Sequence, residues 1–202
     1  ILFKVRFPAE FHAQTAVEAA IQLHPQTALR LEEIERVVIS TQESALRIID
    51  KTGPLYNPAD RDHCIQYMTA IGLIFGTLGA VHYEDATAAD PRIDALREKM
   101  ICVENPQYSR DYLDPEKRSI GNAVQVFFRD GISTDNVAVE YPIGHRRRRA
   151  EAAPLLYEKF FAAARSRFGD GLAARLLGLF RDDTQFEAMP VQELVSLMAI
   201  EG

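Results

Sequence analysis

The feature that most constrains the fold is a stretch rich in apolar residues over 60–78, which predicts a central helix. Its apolar and weakly polar positions fall on nearly every side of a helix: His63, Cys64, Ile65, Tyr67, Met68, Ile71, Leu73, Ile74 and Phe75. A helix that is hydrophobic all round is buried in a core. The most apolar part, 71–81, is too short and too rich in glycine to span a bilayer, so we expect no membrane partner.

The segments around this helix predict an α+β fold. Apolar residues recur at helical spacing over 13–24, where Pro25 is expected to end the helix, and again over 91–97. Short β-branched or apolar segments predict strands at 34–41, 100–104, 123–129 and 136–141, with a helical turn at 44–50 and an irregular polar connection over 105–118. The last two strands are joined through the turn signal Asp130-Gly131, which favours a small antiparallel sheet packed with helices. A helical tail is expected over 151–168, 170–181 and 190–200.

Composition limits the classes of function. The chain has 202 residues, of which 47% are hydrophobic and 26% charged, as expected for a globular protein with one domain or two very small ones. Together with the predicted elements, this favours a single α+β domain over residues 1–202. Its net charge of −6 argues against nucleic acid as a partner. Two cysteines, Cys64 and Cys102, cannot supply a four-cysteine metal site and favour a reducing, cytoplasmic location.

The beginning of the chain predicts that it is part of a larger protein. The first residue is Ile1, and residues 2–7 have the pattern of an ordered strand-like segment. A natural N-terminus is usually less ordered than this. We therefore expect any active site to be shared with residues outside this chain.

His12 is the first candidate for chemistry. It lies where a loop is expected to become a helix, and the positive end of the helix dipole there favours a neutral imidazole. A neutral imidazole with a free nitrogen is what a general base requires. The alternative from spacing alone is a histidine that helps to cap a surface helix.

His63 and Tyr67 are four residues apart and would share one face of a continuous central helix. A tyrosine in such a helix is commonly a core residue whose hydroxyl is hydrogen-bonded. It can also act as an acid, or donate a hydrogen bond to a leaving hydroxyl or a carboxylate. Both interpretations are open for Tyr67, and His63 is a weaker candidate.

A basic run, His145 followed by four arginines, comes just after a predicted strand. Such runs usually form a solvated face or neutralise nearby acids. Because guanidinium groups match the geometry of carboxylates, Arg146 is also a candidate for substrate binding. No histidine spacing suggests a metal site, and the sequence has neither a phosphate-binding glycine loop nor a Gly-x-Ser-x-Gly elbow.

Four segments together resemble the MmgE/PrpD family. They are FPAEFHAQTAVEAAIQLH (7–24), DRDHCIQYMTAIGLIFG (60–76), HYEDATAADPRIDALREKM (82–100) and YPIGHRRRR (141–149). The resemblance covers nearly the whole chain in the order of the family. It implies a protein with a large helical N-terminal domain and a smaller α+β C-terminal domain, of which this chain resembles the second.

The resemblance also implies roles for particular residues. The histidine in the segment that matches FHAQT lines the cleft between the two domains, and here that residue is His12. The tyrosine in the motif that matches HCIQY lies near the cleft, and here it is Tyr67, although Tyr56 is an alternative for the same role. Arg146 and His63 remain candidates for binding substrate.

The activity implied is that of a hydro-lyase in propionate catabolism, which removes water from 2-methylcitrate to give 2-methyl-cis-aconitate. His12 would transfer a proton and Tyr67 would donate or orient, with no metal or iron–sulfur cluster. Two cysteines are also too few for a cluster that needs at least three thiolates. Expected partners are a tricarboxylate, the missing helical domain and a second copy in a homodimer, and the isolated chain is expected to be inactive.

Two alternatives stay open. One is a cis-aconitate decarboxylase or another tricarboxylate lyase of the same family. The other is a non-catalytic domain that closes one wall of a cleft and packs against a partner domain. An isolated domain of that kind would expose an apolar patch and self-associate through it.

Overall fold

A four-stranded sheet in the order β2-β1-β3-β4 organises the first of two compact units, which ends at Arg148. The computed structural model describes residues 4–199. The strands are β1 (Ile34–Thr41), β2 (Met100–Glu104), β3 (Asn122–Phe128) and β4 (Val137–Val139). The fold is therefore α+β, as the sequence predicts, and β1 and β2 have the predicted bounds.

The sheet is antiparallel except at one edge. Strand β3 pairs antiparallel with both β1 and β4, whereas β1 and β2 pair parallel, with Val37 opposite Met100. A parallel pair needs a long crossover connection, and the segment between β1 and β2 supplies it. Burial alternates along much of β1, where Ile34, Val37 and Ile39 are fully buried in the core.

Seven α-helices accompany the sheet in the described part of this unit. They are α1 (Gln14–Thr27), α2 (Glu43–Ile48), α3 (Pro58–Asp62), α4 (Ile65–Phe75), α5 (Asp85–Ala88), α6 (Pro91–Arg97) and α7 (Pro106–Leu113). Helix α1 packs against α4, β3 and β4. A Cβ on Gly72 would lie 2.8 Å from the Cβ of Ala20, so glycine at this position allows α1 and α4 to approach closely.

The predicted central helix over 60–78 is wrong in its continuity, because it is divided into α3 and α4. Cys64 between them is extended, with φ −130° and ψ 106°. The Ile65 N–H donates to the carbonyl of Ile49 at 2.9 Å, and the Cys64 thiol donates to the carbonyl of Lys51. These contacts with the end of α2 replace helical hydrogen bonds, so His63 and Tyr67 do not share a helix face.

Three other local predictions are also wrong. Pro25 does not end α1, whose last turn is held by a hydrogen bond from Ala28 N–H to the His24 carbonyl at 2.9 Å. The connection over 105–118 contains α7, which begins with Asn105 as a cap and Pro106 in the first turn. Residues 4–7 form a turn and an irregular segment rather than a strand, and residues 2–3 lie outside the described residues.

The second unit begins at Arg149 and is helical in its described part. It contains α8 (Arg149–Arg181), α9 (Asp183–Ala188) and α10 (Val191–Met198). Helix α8 is interrupted at Gly169, whose φ of 78° and ψ of 172° are not helical. This break lies between the two predicted helices 151–168 and 170–181. None of the helices in residues 4–199 combines the length and apolar character that a membrane crossing requires.

Candidate active site

His12 lies in a short 3₁₀ helix, Phe11–Ala13, that leads into α1. The side chain of Glu10 caps this turn, because its carboxylate accepts a hydrogen bond from the His12 backbone N–H at 2.7 Å. His12 is 6% exposed. The structure therefore places His12 at the predicted loop-to-helix transition, but in a buried setting rather than on a surface helix.

The Glu10 carboxylate also contacts the imidazole of His12. Its two oxygens lie 3.0 and 3.2 Å from His12 Nδ1. An ionised carboxylate can only accept hydrogen bonds, so Nδ1 carries the proton in this pair when the imidazole is neutral. The lone pair of a neutral ring is then on Nε2, the nitrogen that faces away from Glu10.

The surroundings of Glu10 favour the ionised form of its carboxyl group. Burial opposes ionisation of its carboxyl group, but hydrogen bonds and positive charge from His12, with a smaller contribution from His63, hold the pKa of Glu10 below its usual value. The carboxylate therefore stays ionised and able to orient the imidazole at neutral pH. A buried carboxylate that fixes the tautomer of a histidine is a recurrent arrangement in acid–base catalysis.

Buried amide side chains fix the backbone around His12. Asn122 Nδ2 donates to the carbonyl of His12 at 2.8 Å and to the hydroxyl of Thr15 at 2.7 Å. Gln14 Nε2 donates to the carbonyls of Phe7 and Ala9 at 3.0 and 2.7 Å. These bonds link the turn to β3 and to the preceding loop, so the imidazole is supported by rigid parts of the fold.

On the opposite side of the ring, the hydroxyl oxygen of Tyr112 lies 3.2 Å from His12 Nε2. With the lone pair on Nε2, the tyrosine donates this hydrogen bond. Tyr112 belongs to α7, in the segment for which the sequence predicts an irregular connection. The two rings are 5.5 Å apart between centroids.

Within residues 4–199, no hydrogen bond joins Tyr67 to His12. It is 2% exposed, and its hydroxyl donates to the carbonyl of His82 at 2.6 Å. Its ring stacks on that of Tyr83, and burial raises the pKa of Tyr67 to about 12. The contacts are those of a core tyrosine with a satisfied hydroxyl, and its catalytic role stays a prediction.

The other predicted site residues lie at the surface. His63 ends α3, with half of its side chain exposed and Nδ1 3.1 Å from the carbonyl of Ala59. Arg146 is exposed and donates to the carbonyl of Glu116, as does Arg147. Tyr56, the alternative to Tyr67, is 79% exposed.

One of these predicted residues interacts with the Glu10–His12 pair. His63 is close enough to Glu10 to affect the pKa of its carboxyl group. Arg146 donates to the carbonyl of Glu116, which follows Tyr112 by four positions in the sequence. Among the described residues, no group of three or more His, Cys, Asp or Glu side chains is arranged to hold a metal ion.

A separate cleft of about 490 Å³ includes none of these candidates in its lining. The residues that line it come from the loop after α2, from α4, from the end of α6 and from the start of β2: Lys51, Thr52, Gly53, Pro54, Gln66, Asp94, Arg97, Glu98 and Met100. Arg97 is held there by an ion pair with Asp94 and a hydrogen bond to the Gly53 carbonyl at 3.0 Å.

Glu10 and Tyr112 are two residues of the site that were not predicted from the sequence. Glu10 had a signal, because an acid two residues before a histidine at a helix start can reach its ring. Tyr112 had none, since it is 100 positions from His12 and lies in a segment predicted to be an irregular connection. Only the packing of α7 brings it to the histidine.

Comparisons with known proteins agree with the resemblance. The sequence model of the MmgE/PrpD C-terminal domain matches residues 7–181. A protein from Cupriavidus necator named 2-methylcitrate dehydratase is 56% identical over 99% of this chain, and one of the same name from Salmonella typhimurium is 54% identical. A relative from Yarrowia lipolytica, named 2-methylcitrate dehydratase, mitochondrial, is 52% identical over 98% of the chain. The chain spans 42% of the length of the first two and 38% of the third.

Proposed function

The chain belongs to the MmgE/PrpD C-terminal domain family, and on this basis we propose that it forms the C-terminal part of a 2-methylcitrate dehydratase. The reaction is the removal of water from 2-methylcitrate to give 2-methyl-cis-aconitate. Relatives with that name at 52–56% identity support the substrate and the reaction class, that of a hydro-lyase. The chain spans 42% of the length of the first of them, so the proposal places the remaining site residues in the part of such a protein that this chain does not cover.

The observation that carries the proposal is the buried Glu10–His12 pair. Dehydration of a hydroxy acid requires a base to take a proton from the carbon next to a carboxylate. The 3.0 Å contact between Glu10 and Nδ1 puts the lone pair of neutral His12 on Nε2. Bound substrate would replace the hydrogen bond that Tyr112 donates there, so that this lone pair can act as the base. As the proton arrives, the Glu10 carboxylate stabilises the imidazolium that forms.

The substrate carries three carboxylates, so cations must hold it while the proton is removed. Arg146 and His63 are the residues of this chain proposed for that role. Arg146 is exposed and can pair with a carboxylate through two parallel hydrogen bonds. His63 is half exposed, and its charge contributes to the lowered pKa of Glu10, which supports an auxiliary role in binding.

The chemistry proposed for this chain is acid–base chemistry without an iron–sulfur cluster. The two cysteines of the chain are fewer than the three thiolates that such a cluster needs. Assembly with the helical domain and a second copy in a homodimer are further parts of the proposal. The cytoplasm remains the proposed location, although the Yarrowia lipolytica relative is named as mitochondrial.

A dehydration assay tests the proposal. The full-length protein that carries this chain is incubated with 2-methylcitrate, and the conjugated product is followed by its ultraviolet absorbance. We expect activity in the full-length protein, none in the isolated chain, and a loss of about a hundredfold in the His12→Ala variant. The exposed Glu32→Ala variant serves as the control and should keep full activity.

The alternatives predict other results. A decarboxylase would release carbon dioxide from cis-aconitate and leave 2-methylcitrate unchanged, so a panel of citrate-like substrates separates the two enzymes. A folded full-length protein that is inactive on the whole panel would support a non-catalytic docking domain. His12→Ala with near-normal dehydration would remove His12 from the mechanism.

A further inference from the structure

Tyr112 is the one tyrosine of the described residues whose hydroxyl is hydrogen-bonded to His12. Its oxygen lies 3.2 Å from Nε2, and Glu10 lies on the opposite nitrogen. The carboxylate, the imidazole and the phenol therefore form a continuous hydrogen-bonded chain. The phenol is at the end of that chain where the substrate must approach the base.

The packing of α7 determines the position of Tyr112. Asn105 caps the start of this helix, and Gln107 donates to Asp111 across one turn at 2.7 Å. One face of the helix lies against the segment before β3, where a Cβ on Gly121 would be only 3.0 Å from the ring of Tyr108. A helix held this closely gives Tyr112 little freedom to move away from His12.

Elimination of water requires an acid as well as a base, because hydroxide is a poor leaving group unless it is protonated. Resting on the dehydration proposed above, we propose that Tyr112 is the catalytic acid that protonates the departing hydroxyl. A phenol is a stronger acid than water, so a tyrosine hydroxyl is suited to this transfer. Tyr67 is less suited, since its hydroxyl is bound to the carbonyl of His82.

His12 and Tyr112 together account for both proton transfers of the reaction. His12 Nε2 takes the proton next to the carboxylate, and the electron pair of that C–H bond is first held as an enolate of the neighbouring carboxylate. The pair then forms the C=C bond as the C–O bond breaks. The leaving hydroxyl takes the phenolic proton of Tyr112 and departs as water. The imidazolium of His12 then returns its proton to the phenolate across the 3.2 Å contact, and both residues regain their starting states.

The test uses Tyr112→Phe in the full-length protein, with Tyr108→Phe as the matched control on the same helix. Dehydration of 2-methylcitrate is measured in D₂O, together with the deuterium that enters the recovered substrate. An enzyme that keeps its base and lacks its acid still removes the proton and returns a deuteron. We therefore expect Tyr112→Phe to lose about a hundredfold in dehydration while deuterium still enters the substrate.

The other possible results separate the role of Tyr112 from the dehydratase function proposed above. Loss of both dehydration and exchange in Tyr112→Phe would mean that Tyr112 only positions His12, and retention of both would remove it from catalysis. Either result overturns Tyr112 as the acid. His12→Ala should lose both activities, and if it keeps both, His12 is not the base. The proposed function itself fails only if the unmodified full-length protein does not dehydrate 2-methylcitrate. Tyr108→Phe should retain both, since its ring still packs against Gly121.

Discussion

Arg148 holds the carboxylate of Glu18 through two hydrogen bonds, 2.9 and 2.8 Å long, across 130 positions of sequence. The same guanidinium donates to the carbonyl of Tyr141 at 2.7 Å. Both side chains of the pair are more than four-fifths buried. The third arginine of the basic run therefore ties the segment after β4 to α1 and is not part of a solvated face.

Replacing Arg148 with Lys should lower the free energy of unfolding by about 1–3 kcal/mol, because lysine cannot make two parallel bonds to one carboxylate. Urea denaturation measures the change. The control is Arg47→Lys, whose ion pair with Glu43 lies on the surface of α2 with 76% of the arginine side chain exposed. The control should change stability by less than about 0.5 kcal/mol. Equal effects in the two variants would contradict a structural role for Arg148.

Gly76 ends α4 in the left-handed region, with φ 65°. A Cβ there would lie 2.7 Å from the ring of His24, and that ring is fixed by a 3.0 Å hydrogen bond to the Leu73 carbonyl. Gly76→Ala should therefore cost more than the ~1 kcal/mol of left-handed strain alone. Gly131→Ala is the matched control, with φ 84° and no atom within 4 Å of the added Cβ. The difference between the melting temperatures of the two variants measures the effect of the contact with His24. A similar loss of stability in both would show that the His24 ring moves aside at little cost.

The strands were predictable because their signals are local. Runs of β-branched residues bounded by polar ones gave the bounds of β1 and β2 as the structure has them. The interruption of the central helix at Cys64 was not predictable, since it depends on the carbonyls of Ile49 and Lys51, which approach only when α2 has packed.

The residues of the candidate site also differ in whether a local sequence signal predicts them. His12 could be found from its position before a helix and from the family resemblance, and Glu10 is within reach of it in the sequence. Tyr112 could not be found, because a single sequence has no signal for a contact across 100 residues. The prediction that His63 and Tyr67 share one helix face was wrong because it required a continuous helix.

Tyr67→Phe distinguishes a structural tyrosine from a catalytic one. The 2.6 Å bond to the His82 carbonyl is lost in this variant and leaves that carbonyl without its donor, so we expect a loss of about 1–2 kcal/mol in the free energy of unfolding. Dehydration measured well below the melting temperature should fall less than about tenfold. A loss of a hundredfold in a folded variant would instead support Tyr67 as the donor that the family resemblance suggests.

The lowered pKa of Glu10 predicts how stability depends on pH. Hydrogen bonds and charge from His12 favour the ionised carboxyl group in the folded state, whereas the unfolded chain keeps the ordinary value of 4.5. A group with a depressed folded pKa stabilises the protein above its unfolded pKa, and this contribution is lost as the pH falls through the folded value. Glu10→Gln cannot ionise and lacks this contribution at every pH.

The free energy of unfolding of the unmodified protein should therefore exceed that of Glu10→Gln at pH 6, and the difference should shrink when both are measured by denaturation at pH 3. The exposed Glu32→Gln variant, in the 3₁₀ helix Leu31–Glu33, is the control and should show no such narrowing. A difference for Glu10→Gln that stays constant between the two pH values would mean that the carboxyl group contributes by packing and not by its charge. In that case Glu10 would not be the ionised partner that the proton transfer by His12 requires.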